Sequence, residues 1–531
     1  MSNYLARVLR GRVIGTLQTQ PQPDKNQVQN SAGGYVYVID PWARVDRFLI
    51  LGSEGGTYYA AEHTLTHENA KNLAERIREN GLRVVERIVE ISTQGRAAKQ
   101  DPAIFALAMC AGWGDEATRS LALGRGLQAV CRTGAHLLQF ASYIEQFRGW
   151  GRGLRRAIAG WYDAKPIDAL AFQVLKYQNR HGWTHRDLLR VAHPHTIEIA
   201  RNAIYRWIAQ KGDGEQIRLV SAFEQAKRMV DVDAGTMAAF VRQHELPREA
   251  IPSEWLREPA VWEALLQHMP MTALLRNLAR MSRIGLLTPA SAATRLVIER
   301  LSDAERIVKA RIHPVNVLTA LVTYASGSGV RGDGKWTPLA SIVETLDAAF
   351  YLAFGNVQAS NASMLIGLDV SGSMSMGSVA GVPGLTPRMA SAALALVHAR
   401  IEDQSEVRAF SGRFMPLDVR KNETLKQLVG RTQSLPFERT DCALPMLYAL
   451  EQRRAVETFV VLTDNETWAG AIHPDEALRR YREWSGINAK LVVVGMTATN
   501  FSIADPNDAG MLDVVGFDTA TPNLIADFVR G

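Results

Sequence analysis

The feature that most limits the possible folds of this chain is a change of hydrophobic periodicity near residue 360. After Asn361, short runs rich in Val, Ile and Leu alternate with stretches of helical periodicity. The apolar runs are Met364–Val370, Thr458–Thr463 and Leu491–Val494. They lack the polar alternation of a half-exposed strand, which is typical of strands covered on both faces. This alternation of strands and helices predicts a doubly wound α/β domain with a parallel sheet over residues 361–531.

Residues 35–360 follow a different pattern, because their apolar positions recur mostly at spacings of three and four residues. Leu82, Val85 and Ile88 form one such series, which is typical of an amphipathic helix. Turn signals such as Pro102 interrupt the helical pattern at intervals, and convincing alternating strands are scarce. The pattern predicts an all-α array of paired helices. A solenoid or ring of helical repeats and a compact helical bundle are both compatible with it.

The N-terminal segment and the chain length complete the predicted domain organisation. Residues 18–34 are rich in Gln, Asn, Pro and Gly, which predicts an irregular arm over residues 1–34. The chain has 531 residues, which is more than the roughly 250–300 residues at which a single hydrophobic core stops growing. We therefore predict an arm at 1–34, a helical-repeat array at 35–360 and an α/β domain at 361–531.

Positive charge is concentrated in the first two of these regions. The formal net charge is +6, but residues 361–531 carry 16 Lys and Arg against 20 Asp and Glu. Residues 1–360 therefore carry 44 Lys and Arg against 34 Asp and Glu. Such a basic excess suits a polyanionic partner such as nucleic acid, and it is equally compatible with a surface that only confers solubility.

Oxygen-bearing side chains follow the predicted strands of the α/β domain. The first strand ends in Asp-x-Ser-x-Ser at residues 369–373. Thr440 precedes a predicted helix, and Asp464 follows a later predicted strand. In open α/β sheets, ligands bind at the carboxyl ends of the strands. Carboxylate and hydroxyl oxygens suit a hard divalent cation, so we predict a site for Mg²⁺, with Mn²⁺ and Ca²⁺ as alternatives. The predicted ligands are Asp369, Ser371, Ser373, Thr440 and Asp464. The other interpretation is that both aspartates only cap the helices that follow them.

These five positions resemble the metal-ion-dependent adhesion site of von Willebrand factor A domains. In that family the metal keeps one coordination position for an acidic group of a binding partner, so the resemblance implies ligand binding and not catalysis. One local departure concerns Glu438 and Arg439, which precede Thr440 where small glycines are expected in the family's loop. This departure bears on the path of the loop and on the reach of Thr440 to the metal.

The chain from Tyr35 onward resembles the Ro autoantigen family, in which a TROVE module precedes a von Willebrand factor A domain. The phrases that carry the resemblance occur in the family's order, at residues 35–59, 99–108, 182–190, 270–278, 311–314 and 441–445. The resemblance is to a bacterial-type Ro ortholog. It implies a ring of HEAT-like helical repeats closed by the A domain. It also implies a Y-type small RNA bound on an outer basic surface and single-stranded ends of structured or misfolded RNA in the central hole.

The resemblance also indicates candidate RNA-binding residues, since Lys176, Arg180 and His193 match family positions implicated in Y RNA binding. Arg186 and Arg190 continue the helical spacing of four beyond a turn, giving a basic stripe suited to phosphates. The alternative is that these arginines only solvate an exposed helix face.

A second candidate surface is the segment around Arg148 and Arg152, in which arginines alternate with Trp150. Such a segment can bind phosphate and stack on bases. The other interpretation is a turn between helices with a buried Trp.

Several function classes find no support in the sequence. No Ser-His-Asp or Cys-His constellation can be assigned, so we expect no enzyme. The longest apolar stretches, such as Ala103–Trp113, have the length of core helices, and no membrane association is expected. Arginines interrupt the first residues, and the three cysteines lack C-x-x-C spacing. These features favour a reducing cytoplasm.

Two hypotheses of function remain. The first is a protein of non-coding RNA quality control that binds Y-type RNA and presents RNA ends to a 3′ exoribonuclease. The family's bacterial members imply that this nuclease, polynucleotide phosphorylase, is tethered through the RNA. The alternative is a protein-interaction scaffold that depends on the metal site and binds no RNA.

Overall fold

The computed structural model describes residues 15–23, 25–52, 70–97, 99–212, 214–329, 334–354, 359–377, 379, 384–436, 439–497, 499, 501–515 and 521–530. The chain forms two compact units. One contains Leu73–Ile312 and Asn316–Ala353; the other contains the residues up to Asn72, His313–Val315 and the residues from Phe354 onward. None of the helices within the described ranges has the length and apolar character needed to cross a bilayer.

The N-terminal segment contains two short strands and a helix. These are β1 (Gln27–Gln29), β2 (Tyr35–Val38) and α1 (Pro41–Leu51). Asp40 caps α1 by accepting hydrogen bonds from the backbone nitrogens of Trp42 and Ala43 at 2.8 and 3.1 Å. A carboxylate at this position satisfies amides that have no partner inside the helix.

The next part of the chain is helical up to residue 352. Its helices are α2 (Lys71–Gln94), α3 (Asp101–Trp113), α4 (Glu116–Leu121), α5 (Leu127–Val130), α6 (Gly134–Ile144), α7 (Arg152–Asp163), α8 (Ile167–Lys176), α9 (His185–Ala192), α10 (Ile199–Ile208), α11 (Arg218–Ala226), α12 (Ala234–His244), α13 (Pro259–His268), α14 (Met271–Arg283), α15 (Ala292–Ser302), α16 (Ala304–Lys309), α17 (Pro314–Ala325) and α18 (Ala340–Leu352). A π-helical turn at Ala122–Gly126 joins α4 to α5. A two-stranded hairpin of β3 (Asn179–Arg180) and β4 (Trp183–Thr184) interrupts the helices. The prediction of a helical region is confirmed, with β2 and this hairpin as exceptions among the described residues.

Helix α3 shows how this unit forms its core. Residues 102–111 are all buried, so the helix is covered on every side and lacks a polar face. Its Phe105 ring meets the rings of Tyr143 and Phe147 edge-on, at centroid distances of 5.3 and 5.4 Å. The segment that sequence analysis described as core-helix length is therefore the buried centre of a helical unit.

A buried polar contact holds α9 against α7. His185, the first residue of α9, places Nδ1 at 2.7 Å from the hydroxyl of Tyr162. Both side chains are almost completely buried. Arg201 of α10 donates to the Tyr162 carbonyl at 2.6 Å. Helices α7, α9 and α10 are thus joined by buried polar contacts.

The C-terminal part of the chain is an α/β domain. Its elements are β5 (Met364–Asp369), α19 (Pro387–Ile401), β6 (Ser405–Phe410), β7 (Phe414–Pro416), α20 (Leu425–Gln433), α21 (Leu444–Glu451), β8 (Thr458–Thr463), α22 (Pro474–Ser485), β9 (Lys490–Gly495), β10 (Phe501–Ser502), β11 (Met511–Val515) and α23 (Thr521–Arg530). Six strands form one sheet in the order β11-β9-β8-β5-β6-β7. All pairings in it are parallel except that of β7, which is antiparallel to β6. The predicted doubly wound α/β domain is confirmed.

The order of the strands reverses between β5 and β8. From β5 the chain moves outward to β6 and β7 and then returns to the other side of β5 as β8. Both central strands are buried at every residue, as expected for strands with helices on both faces. The carboxyl ends of two adjacent strands at such a reversal leave a crevice between their loops.

Residues 15–23 and 25–34 of the predicted arm are mostly turns and irregular segments, with β1 as the one strand among these described residues. These residues belong to the same compact unit as the α/β domain. Strand β2 pairs with β1 and with β10 in a small antiparallel sheet, and Val36 of β2 is part of the core of the domain. A polar segment can be held against a domain in this way by backbone and amide hydrogen bonds without apolar content of its own.

Candidate metal centre and nucleic-acid interface

The loop after β5 brings three of the predicted metal ligands together. Asp369 ends the strand, and its Oδ1 accepts a hydrogen bond from the backbone nitrogen of Ser371 at 2.8 Å. The hydroxyl oxygens of Ser371 and Ser373 lie 3.0 Å apart. Arg388 of α19 fixes the loop, since its Nη2 donates to the carbonyls of Val370 and Ser371 at 2.9 and 3.1 Å. These hydrogen bonds fix the loop and keep the Asp369 carboxylate close to Ser371 and Ser373.

The second carboxylate comes from the neighbouring strand. Asp464 directly follows β8, which pairs with β5 in parallel register. Thr463, the last residue of β8, donates its hydroxyl to Asp369 Oδ2 at 2.7 Å. Asp369 and Asp464 are both completely buried. Burial, followed by the charge of Asp464, raises the pKa of Asp369 to about 7.

Thr440 lies in the connection between α20 and α21, which is hydrogen-bonded to the chain just after β6. The backbone nitrogen of Asp441 donates to the Ser411 carbonyl at 3.0 Å, just beyond the end of β6, and Thr440 is buried. Arg439 is exposed, with its guanidinium 5.7 Å from the centre of the Trp468 ring. The other residue of the noted departure, Glu438, lies outside the described residues.

The donor set fits a hard divalent cation. Within the described ranges, no group of three or more His, Cys, Asp or Glu side chains is placed to hold a metal. The predicted ligand set consists of two carboxylates and three hydroxyl groups, all oxygen donors, which suit Mg²⁺ better than a softer metal. Two buried carboxylates side by side repel each other, and a cation between them would remove that repulsion. Such a centre would supply an electrophilic position for an anionic ligand.

Sequence analysis missed residues of the N-terminal segment that support the loop after β8. Gln18 is completely buried and donates from Nε2 to Asp441 Oδ1 and to the Ile472 carbonyl, each at 2.8 Å. Asn30 donates from Nδ2 to the Thr467 carbonyl at 2.8 Å. Burial raises the pKa of Asp441 to about 6. These amides lie in a segment of low complexity, where no local pattern distinguishes them from solvated residues.

The predicted RNA-binding residues of the helical unit lie along one continuous segment. Lys176 ends α8, Arg180 lies in β3, and His193 caps the carboxyl end of α9 with a left-handed backbone at φ 48°. Arg180 and His193 are exposed and Lys176 is partly exposed. The hairpin and a capping box between Thr184 and Asp187 set the direction in which α9 leaves it.

Arg186 and Arg190 lie on one face of α9 and line a groove of about 870 Å³ in the helical unit. Lys227 and Arg228, which follow α11, line the same groove, and sequence analysis did not single them out. Arg186 donates to the Gln210 side chain at 2.7 Å. Asp187, Glu215 and Glu224 line it as well, and Lys227 pairs with Glu224 at 2.6 Å. Arg186 and Arg190 of the predicted stripe therefore line a groove that carries both signs of charge.

The two arginines predicted for the second surface have different environments in the structure. Arg148 is half-buried and donates to the Ala111 carbonyl at 2.9 Å, so part of its guanidinium is used to close the end of α3. Arg152 begins α7 and is exposed. Trp150 is only partly buried. The alternative of a turn with a buried Trp is therefore half correct, since the segment is a turn but its indole is not buried.

Trp150 meets Trp183 of β4, which joins the two predicted surfaces. Their ring centroids are 5.1 Å apart with the planes tilted by 48°. Both indole nitrogens donate to the carboxylate of Glu145, at 3.4 Å from Trp150 and 3.3 Å from Trp183. The segment at 148–152 and the hairpin at 179–184 are therefore parts of one surface.

Comparisons with known proteins match both parts of the chain. A TROVE domain model matches residues 28–231 and 241–323, and a Ro60 vWA domain model matches residues 363–529. The RNA-binding protein RO60 of Deinococcus radiodurans is 43% identical over 513 residues, which cover 96% of this chain and 96% of that protein. The RNA-binding protein RO60 of Caenorhabditis elegans is 34% identical over 629 residues, covering 100% of this chain and 96% of that protein.

A solved structure is similar over most of the chain. The crystal structure of the Ro (RSR) protein of Deinococcus radiodurans matches with a TM-score of 0.72 and 43% sequence identity. The match covers 93% of this chain and 100% of that one. The similarity of sequence and that of structure therefore extend over both the helical region and the α/β domain.

Proposed function

This chain belongs to the Ro60 family of proteins with a TROVE module and a von Willebrand factor A domain, and we propose that it binds structured non-coding RNA through its helical unit. The relatives that cover nearly all of the chain are named RNA-binding proteins, and none of those names describes an enzyme. The chain is accordingly a binding protein and not an enzyme.

The observation that carries the proposal is the basic segment from α8 to the end of α9. Lys176, Arg180, Arg190 and His193 lie along it, and all but the partly exposed Lys176 are exposed. Arg152 adds an exposed cation on the surface that Trp150 and Trp183 join to this segment. Cations and aromatic rings in one region suit phosphates and unpaired bases together.

The finer proposal concerns which RNA is bound and where. The match of Lys176, Arg180 and His193 to family positions supports a Y-type small RNA on the outer basic surface of the helical repeats. Single-stranded ends of structured or misfolded RNA would enter the hole of a ring of HEAT-like repeats. The bound RNA would then tether a 3′ exoribonuclease, polynucleotide phosphorylase, so that RNA ends are presented for maturation or decay. The buried free thiols of Cys110, Cys131 and Cys442 agree with a reducing cytoplasm as the compartment.

We also propose that Asp369, Ser371, Ser373, Thr440 and Asp464 hold a divalent cation, most simply Mg²⁺. The support is the burial of both carboxylates and the hydrogen-bonded loop that orients the two serine hydroxyls. The cation would leave a position for a carboxylate of a partner protein. The chain's own part is to keep the loop rigid through Arg388 and to exclude water by burial.

A second candidate function is a protein-interaction scaffold in which this metal centre is the main site. The specific observation in its favour is that the centre lies at a sheet edge suited to ligands. The two hypotheses make different predictions for the same variants. Chelation or Asp369→Ala would abolish the binding of a scaffold to its partner, whereas the RNA hypothesis expects damage from Lys176→Ala/Arg180→Ala.

The experiment is an electrophoretic mobility shift of the full chain with a structured RNA that has a single-stranded 3′ end. The double variant Lys176→Ala/Arg180→Ala is compared with Lys426→Ala/Arg453→Ala, which removes one exposed Lys and one exposed Arg from the α/β domain. The proposal expects the first pair to weaken binding and the second pair to leave it nearly unchanged. Equal loss in both pairs would reduce the effect to net charge, and no binding by the wild type would refute the proposal.

A further inference from the structure

Trp150 and Trp183 form an aromatic pair that the core of the helical unit does not require. Trp150 lies in the turn between α6 and α7, and Trp183 lies in β4 of the hairpin. Their centroids are 5.1 Å apart, and both rings remain partly exposed. Because they are separated by more than thirty positions in the sequence, only the fold brings them together.

The two indoles are held by one side chain. Glu145, at the end of α6, accepts from Trp150 on Oε1 and from Trp183 on Oε2. Glu145 is exposed. A shared carboxylate fixes the tilt of both rings while leaving ring surface open, so the pair is ordered before any ligand arrives.

Tryptophans that serve the core of this unit look different. Trp161 and Trp262 are almost completely buried, and their indole nitrogens donate to backbone carbonyls, of Cys131 and Leu256 respectively. Trp150 and Trp183 instead use a solvent-facing carboxylate. A pair that only attached the hairpin to α6 would gain most by being fully covered, since exposed aromatic surface lowers the hydrophobic gain of folding.

The surroundings of the pair are positively charged. Arg180 is the cross-strand partner of Trp183, so the two side chains leave the hairpin on the same face. Arg152 and Arg156, both exposed, lie in the first turns of α7, close in sequence to Trp150. Arg155 is exposed as well and donates from Nε to the Trp150 carbonyl at 3.0 Å. Glu145 keeps its negative charge, but Arg152, Arg155, Arg156 and Arg180 outnumber it, so these residues together carry a net positive charge.

We propose that Trp150 and Trp183 form a stacking platform for an unpaired nucleobase of bound RNA, with Arg152 and Arg180 contacting the flanking phosphates. Open ring faces stack on any base, whereas bases inside a duplex cannot reach them, so the platform selects unpaired bases such as those of bulges and loops in the RNA bound at this surface. The inference rests on the proposed RNA binding and assigns to it a site for the unpaired part of the RNA.

The test uses RNA in which 2-aminopurine replaces one unpaired base at a time, in bulges, in loops and along the single-stranded 3′ end. The fluorescence of this base is quenched when it stacks on an indole. Trp150→Leu and Trp183→Leu remove the rings, and Trp150→Phe and Trp183→Phe keep an aromatic face. The matched control is Trp484→Leu, which removes an indole that is 43% exposed in the α/β domain.

The platform predicts quenching at one or two adjacent positions of the RNA. Each Leu variant should weaken binding by about 5- to 150-fold, as expected for one lost base stack, and should abolish that quenching. Each Phe variant should keep most of the affinity. The dependence of affinity on salt should not change in any of these variants, because no charge is removed.

The outcomes separate the inference from the proposed function. If the wild type binds the RNA and both Leu variants bind with equal affinity and full quenching, the platform is refuted and RNA binding stands. If the wild type binds no RNA, both are refuted. If a Leu variant fails to fold by circular dichroism, the wild type decides: quenching confined to one or two positions supports the platform, and quenching at none overturns it.

Discussion

The buried imidazole of His185 is expected to make the helical unit less stable as the pH falls. Replacing this side chain with one that does not titrate should remove that part of the acid sensitivity. His185 is 3% exposed and contacts the Tyr162 hydroxyl at 2.7 Å. Burial lowers the pKa of His185 to about 4 from its ordinary value of 6.5. The folded chain therefore keeps this imidazole neutral at pH values where the unfolded chain protonates it.

The direction and size of the effect follow from this difference. Between pH 6.5 and about 4 the unfolded chain binds one more proton than the folded chain at this residue. The contribution to stability is therefore complete above pH 6.5 and decreases as the pH falls towards 4. Each pH unit in this window lowers the free energy of unfolding by about 1.4 kcal/mol, and the whole window by roughly 3 kcal/mol. Burial also lowers the pKa of His136 to about 4, so a second group of the same unit acts in the same direction.

The assay is urea unfolding followed by far-UV circular dichroism at a series of pH values across this window. His185→Gln keeps a polar partner for the Tyr162 hydroxyl but does not titrate. Its free energy of unfolding should fall less steeply on acidification than that of the wild type, by about 1.4 kcal/mol per pH unit. His195→Gln, at an exposed histidine, is the control. If His185→Gln and the wild type have the same slope, the buried imidazole is not the group that titrates and the reasoning is wrong.

Three further outcomes test the α/β domain by thermal unfolding. Asp369→Ala should lose the rise in stability that Mg²⁺ gives the wild type, which is about 2.7 kcal/mol at a hundredfold excess over Kd; an unchanged rise would place the cation elsewhere. Gly34→Ala would bring a Cβ to 1.8 Å from the Thr467 carbonyl oxygen, so we expect a cost of about 1–3 kcal/mol. A melting temperature equal to that of the wild type would show that this contact is not tight. Arg47 is completely buried and pairs with Asp513 at 2.6 Å, so Arg47→Met should cost about 3–5 kcal/mol. Loss of a few tenths of a kcal/mol would instead show that Asp513 is well solvated.

Hydrophobic periodicity in the sequence predicts which segments become helices and which become buried strands. Apolar runs without alternation at Met364–Val370 and Thr458–Thr463 indicated buried parallel strands, and both are central strands of the sheet. The order of the strands follows from contacts that are distant in sequence, so periodicity could not supply it. The same limit applies to the N-terminal segment, where Gln18 is held by hydrogen bonds to residues more than four hundred positions away.

The candidate sites divide in a similar way. The loop carboxylate and serines at 369–373 lie within one short motif, so the sequence shows their spacing directly. The meeting of Trp150 with Trp183 depends on the packing of a turn against a hairpin, and neither residue indicates the other in the sequence. Lys227 and Arg228 became candidates only because they line the same groove as Arg186. Which residues line a groove depends on tertiary structure, so the sequence alone could not identify them.

The measurement that tests the central claim most directly is the salt dependence of RNA affinity for the wild type and Lys176→Ala/Arg180→Ala. A single-stranded contact to one phosphate contributes about 0.7 to the slope of log K against log salt, and a duplex contact about 0.9. The account predicts steep salt dependence for the wild type and a slope that is lower by about 1.4 to 1.8 in the double variant. An RNA affinity that is insensitive to salt, or a slope that the double variant leaves unchanged, would contradict it.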